Sequence, residues 1–280
     1  MRLMTFRYHD DIMVGVQEGD AVLPLPWRDV KALIESGMEQ AREAAAAAHP
    51  LPLSEITPLA PILKPGKIVA VGLNYLDHCL EQGKTPPETP TIFTKFSTAV
   101  NHPNGEIRWD PKLTSQVDYE AELAVVIGKR AFRVSEEEAY EYVAGYTCLN
   151  DVTARDLQWA DKQWVRGKSL DTFAPMGPVM ITSDELPDPH TLAIRCWVNG
   201  ELRQESHTNQ LIHTVPKLIA FCSHAFTLEP GDIITTGTPG GVGVFRDPPT
   251  FLQPGDEVVV EIEKIGRLRN VVGPYFTDSA

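Results

Sequence analysis

Long apolar runs are missing from this chain. No stretch of its 280 residues approaches the ~18 consecutive apolar positions that a membrane-spanning helix needs. Cysteine is scarce: Cys79, Cys148, Cys196 and Cys222 are the four, and none stands in a C-x-x-C pair. That spacing excludes a zinc knuckle or a thioredoxin-like motif. Positive charge is short as well, with 25 Lys and Arg against 38 Asp and Glu and a net charge of −13. A surface this acidic repels phosphate backbones, which argues against nucleic acid as a partner. The N-terminal residues MRLMTFRYHDD carry no apolar signal-peptide core. The expectation is a soluble, cytosolic protein whose cysteines are reduced and mostly buried. Nucleotide-loop signatures are absent too. The GKS at 167–169 would need Gly at position 162 for a phosphate loop, and that residue is Lys162. The glycine-rich TGTPGGVG at 236–243 does not match G-x-G-x-x-G before a helix. Its glycines are expected to bring backbone amides close to a ligand carboxylate, with Thr238 as a hydroxyl donor.

What is present divides near residue 60. Met1–Arg7, Ile12–Val16 and Ala21–Leu25 read as short strands, and Asp29–Ala48 as one helix in which Val30, Leu33, Ile34 and Ala41 share a face. Five prolines between His49 and Gly66 are incompatible with an element interior and read as a linker. Beyond it, Lys67–Leu73, Ile92–Phe96, Tyr119–Ile127 and Ala144–Leu149 are strand candidates, Tyr75–Gln82 is a short helix, and Gly83–Pro90 is a loop. Asn199-Gly200 between two strand patterns is a type I′ hairpin signal, because both positions need positive φ. The fold class is α+β and β-rich, with a small N-terminal α+β domain and proline-rich linker over 1–60 and a β-rich core over 61–280.

Glu120 and Glu122 stand in VDYEAELAVVIG. Positions i and i+2 of a strand point to one face, so the two carboxylates project side by side. Two glutamates alone also fit a solvated edge strand. The flanking AVVIG run favours burial on both faces, and two adjacent buried anions call for a cation, for which carboxylate oxygens are the preferred hard ligands. Asp151 follows the apolar run ending in Leu149, at what should be a strand's end, and strand ends in a β-rich core are where sites are commonly built. Carboxylates without sulfur imply Mg²⁺ or Mn²⁺ rather than zinc. His78 and Glu81 stand three apart and share a face if that segment is helical. A carboxylate partner orients imidazole and raises its basicity, as a general base requires. Alone, such a pair is an ordinary surface feature; its place before the Gly83–Pro90 loop fits a helix that closes over substrate. Lys95 and Lys168, taken alone, read as surface lysines.

NYLDH, FTKFSTAV, VDYEAELAVVIGKR, LNDVTARDLQ, RGKSLDTFAPMGP and GDIITTGTPGGVG follow one another in this order. In them the chain resembles the shorter members of the fumarylacetoacetate hydrolase family, which include acylpyruvases and oxaloacetate decarboxylases, over about residues 64–275. The resemblance implies a rolled mixed β-sheet core, a homodimer, and a divalent metal held by Glu120, Glu122 and Asp151. It implies a catalytic dyad of His78 and Glu81 on a lid, Lys168 near the reacting centre, and Lys95, Arg155, Gln158 and Thr238 lining the pocket. The implied substrate is a small 2-oxo acid. Cleavage of a C–C bond in a 2,4-dioxo acid through an enolate ranks first. Decarboxylation of oxaloacetate and isomerisation or tautomerisation of an unsaturated oxo-diacid follow. A silent 2-oxo acid binding protein is the non-enzyme alternative, and the retained dyad argues against it. One departure stands out: Leu73 in GLNY occupies a place where some acylpyruvases carry arginine, which removes a carboxylate-binding charge.

Overall fold

The Ala121–Ile127 strand is buried along its whole length. It pairs antiparallel with Val143–Asn150 on one edge and with Ile233–Thr235 on the other. A strand with neighbours on both edges and cover on both faces has no reason to alternate with polar residues, and this one does not. Its odd positions, Leu123, Val125 and Ile127, join one apolar core, whereas Ala124 and Val126 join a second. The computed structural model describes residues 1–276.

The strand lies inside a twelve-stranded mixed sheet, continued on one side through Ile68–Gly72 and Thr91–Lys95 and on the other through Ala174–Thr182. A second sheet of five strands contains the Ala193–Val198 and Glu201–His207 hairpin. Its turn is the expected one, with φ of 52° at Asn199 and 77° at Gly200. Ile194, Cys196, Val258 and Val260 of this sheet share the first core with Leu123 and Val125. The fold is thus the strand-rich α+β arrangement expected. All four cysteines are buried and free. No helix among the described residues is long and apolar enough to cross a membrane.

Two readings of the N-terminal segment change. The stretch expected as one helix forms two, Val30–Ser36 and Gln40–Ala46. Asp29 caps the first by accepting from Ala32 N at 2.7 Å, and Gly37, with φ of 101°, ends it; glycine takes that backbone region without steric cost. Val30, Leu33, Ile34 and Ala41 are nevertheless all buried, in the second core. The proline-rich stretch contains a strand, Thr57–Leu59, that pairs with Arg2–Tyr8. It pairs on one side only, and such an edge accommodates Pro58. The Arg2–Tyr8 strand in turn pairs with Ala174–Thr182, at Arg2↔Ile181 and Leu3↔Met180. The composition break near residue 60 is therefore no break in the hydrogen-bonded sheet.

Candidate active site

Ala121 stands opposite Asn150 in the sheet, and the pairing runs one residue further. Asp151 N donates to Glu120 O at 2.9 Å, and Glu120 N donates to the Asn150 side-chain oxygen at 3.0 Å. Glu120 thus lies just before the regular strand, yet stays on the face of Glu122, and Asp151 is brought beside both. Ligand oxygens of the three acids lie within 4.8 Å of one another, and all three residues are buried.

Cations crowd two of these acids. Lys168 Nζ lies 2.7 Å from Glu120 Oε2 and 2.7 Å from Asp151 Oδ2. Lys95 Nζ donates to Asp151 Oδ1 at 2.6 Å and to Val152 O at 3.1 Å. Arg155 reaches Glu120 Oε1 at 2.6 Å, Asp118 Oδ2 at 2.9 Å and Gln158 Oε1 at 3.1 Å. Among the described residues Glu122 has no ion-pair partner; it accepts from the Thr235 hydroxyl and from Gly237 N. Four buried carboxylates, counting Asp118, therefore face three buried cations, and the excess negative charge rests on Glu122. The titration behaviour follows. Burial would raise Glu120, but the Lys168 ammonium and the Arg155 guanidinium outweigh it and hold the carboxyl down to about 2. Burial, together with the charges of Asp151 and Glu120, pushes Glu122 well above the ordinary carboxylate range. Burial opposes the charge on Lys168, yet Asp151 and Glu120 raise it. Lys95 is lowered by burial despite Asp151. An all-oxygen set with one uncompensated carboxylate fits a hard divalent cation.

The Leu76–Glu81 helix brings the dyad over this cluster. His78 Nδ1 lies 2.8 Å from Glu81 Oε2, and His78 Nε2 lies 2.8 Å from Gln82 Nε2. The helix is docked on the glycine loop. Gly241 N donates to Glu81 Oε1 at 2.8 Å, Gly240 N to Asp77 Oδ1 at 3.3 Å, and the Ser206 hydroxyl to Asp77. Phe245 packs against the imidazole with ring centroids 5.9 Å apart. The loop's amides thus do not wait for a ligand carboxylate as expected. They hold the protein's own acids: Gly237 takes Glu122, Gly241 takes Glu81, and Gly243 and Val244 take Asp118.

One cavity opens onto both groups. His78, Glu120, Glu122, Arg155, Gln158, Lys168 and Thr238 line it, with Val71, Leu73, Phe93, Trp159, Trp164 and Phe245 as apolar walls and Gln82 and Lys84 at the helix end. Thr238 Oγ1 accepts from Gln204 Nε2 at 2.8 Å, which leaves its own proton to donate. Lys95 and Asp151 lie behind the wall; Lys95, expected among the pocket-lining residues, is bonded to Asp151 and two backbone carbonyls instead. Residues 67–273 match the family model described as the fumarylacetoacetate (FAA) hydrolase C-terminal domain.

The chain belongs to the fumarylacetoacetate hydrolase family. Among its relatives in this family, the mitochondrial oxaloacetate tautomerase fahd2 of Xenopus laevis is 45% identical over 288 residues, covering 97% of this chain and 90% of that protein. The oxaloacetate tautomerase YisK of Bacillus subtilis (strain 168) is 48% identical over 224 residues, covering 79% and 74%. The solved fumarylacetoacetate hydrolase of the psychrophile Exiguobacterium antarcticum superposes with a TM-score of 0.88 at 37% identity, covering 98% of this chain and 99% of that one. The Xenopus relative is mitochondrial by name, a location different from the cytosolic one expected for this chain.

Within this family site, several residues escaped the reading of the sequence. Asp118 completes the alternating series Asp118, Glu120, Glu122, so period-two spacing could have shown it. Gln82 stands four residues after His78, a spacing that on a helix signals contact. Gln204, which donates to Thr238 and accepts from Ala121 N at 2.9 Å, lies in a distant hairpin, and no local signal marks it.

Proposed function

We propose that this protein interconverts the enol and keto forms of a 2-oxo diacid of the oxaloacetate type, using a divalent cation held by Glu120, Glu122 and Asp151. The observation that carries this reading is an imidazole oriented by Glu81 on the wall of the same cavity that Glu120 and Glu122 of the acidic cluster line, in a chain whose relatives are named for that reaction. Mg²⁺ or Mn²⁺ bound there would act as a Lewis acid on the 2-keto oxygen. His78 Nε2 takes the proton from the carbon next to the carbonyl. Glu81 holds Nδ1–H and offsets the charge that the imidazole gains. Lys168 stabilises charge developing on the oxygen, a contribution of ~3–4 kcal/mol for a well-placed donor. The reverse direction uses the same groups.

Lys84 supports a diacid. Lys168 and Arg155, the other cations on the cavity wall, are committed to carboxylates. Lys84 has no ion-pair partner among the described residues and is available to a distal carboxylate at the wall where Leu73 brings no charge. Cleavage of a C–C bond, ranked first from the sequence, becomes the second reading. The dyad could also activate water, and the Exiguobacterium structure is named for hydrolysis. A homodimer is proposed from the family resemblance, and light scattering at twice the chain mass is the check.

The test follows the enol absorbance of oxaloacetate with purified protein and Mg²⁺ or Mn²⁺. Equilibration much faster than the spontaneous rate, lost in His78→Ala and on chelation, is expected. Release of cleavage products from an acylpyruvate, without any effect on oxaloacetate, would replace this reading with the hydrolytic one.

A further inference from the structure

Both nitrogens of the His78 ring have a partner, and an aromatic ring packs beside it. Glu81 takes Nδ1 at 2.8 Å, the tilted Phe245 ring lies with its centroid 5.9 Å away, and Gln82 Nε2 stands 2.8 Å from Nε2. The charged groups facing the ring are Glu81 from its own helix and Glu120 across the cavity. Only 6% of His78 is exposed, so solvent does not compete for these contacts. A carboxylate can only accept, so Nδ1 carries a proton, and in the neutral ring that a general base requires Nε2 is left with a lone pair. Against that lone pair an amide oxygen would repel, so the NH₂ group of Gln82 is the end that faces the ring and donates.

We propose that Gln82 is a positioning residue that holds His78 as the Nδ1–H tautomer and occupies the place at Nε2 that a hydrolytic water would need. This rests on His78 being the base of the proposed tautomerisation. The two reactions ask different things of this nitrogen. In tautomerisation the C–H of the substrate replaces the amide in a single exchange: the C–H bond breaks, the proton passes to Nε2 and the electron pair moves to the carbonyl oxygen, which takes a proton from solvent to give the enol while Nε2 returns its own to solvent. The displaced amide is then free to donate to a substrate oxygen. In hydrolysis the amide must leave and an ordered water must also settle between Nε2 and the carbonyl. Gln82 thus biases the site toward carbon–hydrogen chemistry. It is tethered one residue beyond the dyad, and its own half-buried side chain lines the cavity.

The test compares wild type with Gln82→Glu and Gln82→Ala, each loaded with Mg²⁺. Nitrogen-15 NMR of the histidine side chains should show wild-type His78 protonated at Nδ1 alone. A carboxylate at position 82 cannot donate, so both nitrogens of His78 should carry protons in Gln82→Glu, and oxaloacetate tautomerisation should fall about a hundredfold, the usual weight of a general base. Oxalate affinity, which reads the cation site, should stay within about twofold. Gln82→Ala opens Nε2 to water, and the ratio of acylpyruvate hydrolysis to oxaloacetate tautomerisation should rise at least about tenfold. An unchanged tautomer in Gln82→Glu, or an unchanged ratio in Gln82→Ala, would overturn the proposal. If wild type tautomerises nothing, the tautomerase reading fails on its own, while the NMR comparison still decides whether Gln82 sets the ring.

Discussion

Glu122 concentrates the electrostatic problem of the site. It is the carboxylate left over when Lys95, Lys168 and Arg155 have been assigned to Asp151, Glu120 and Asp118. Its carboxyl is raised by burial and by its acidic neighbours. In the metal-free protein its contribution to stability is therefore full below the ordinary carboxylate range and lost as pH rises through the raised value. A cation reverses this, because it needs the deprotonated form, so metal affinity must fall as pH falls. Lys95 is the opposite case, a fully buried ammonium whose partner Asp151 is also fully buried. Lys95→Met should destabilise the metal-free protein by about 3–5 kcal/mol, since it leaves part of a buried charge uncompensated. Urea unfolding in chelator measures this, and a loss below 1 kcal/mol, on the order of a solvated surface pair, would mean that Asp151 is held by Lys168 alone. At this scale the sequence was legible where period two applied. Glu120 and Glu122 could be read from spacing, and Asp118 could have been. The role of Lys95 could not, because it depends on a contact 56 residues away in the chain.

The Leu76–Glu81 helix is only six residues long. A helix this short is not stable by itself, and its position is set by what it docks on. Asp77 and Glu81 are gripped by the amides of Gly240 and Gly241. Gly241 has φ of 100°, and a Cβ there would meet Arg203 O at 2.2 Å. Gly241→Ala should cost about 1–3 kcal/mol of stability. It should also lower kcat more than it weakens metal binding, because it displaces Glu81 and leaves the acids in place. Unchanged kcat, measured alongside calorimetric metal affinity, would separate the glycine loop from the dyad. Elements with strong local patterns were read correctly, the His78 helix and the Asn199-Gly200 hairpin among them. The failures have different causes. Gly37 ends a helix although the apolar face continues across it, so the local mark was present and the face outweighed it. Pro58 sits in a strand because that strand pairs on one side only, and such tertiary pairing leaves no local mark.

For the molecule as a whole, the site is assembled from segments far apart in the chain and held by one sheet. Glu120 and Glu122 come from its centre, Asp151 from the neighbouring strand end, and the glycine loop from the segment after Ile233–Thr235. The N-terminal strands extend the same sheet through Arg2–Tyr8. They are therefore part of the scaffold behind the Ala174–Thr182 strand, although composition alone set them apart as a domain. The family, and the acids and the His–Glu pair that the structure brings to one site, were visible in six short motifs, but which reaction they serve was not, because the enolate chemistry is common to all the candidates. The most direct check on the central claim is calorimetric titration of Mn²⁺ into the protein and into Glu122→Gln. One ion per chain is expected in wild type, with affinity falling between pH 7 and pH 5, and a loss of about tenfold or more in the variant, since even partners behind a metal ligand are worth that much. Equal affinity in the two proteins would remove Glu122 from the ligand set and contradict the cation site on which the proposed reaction depends.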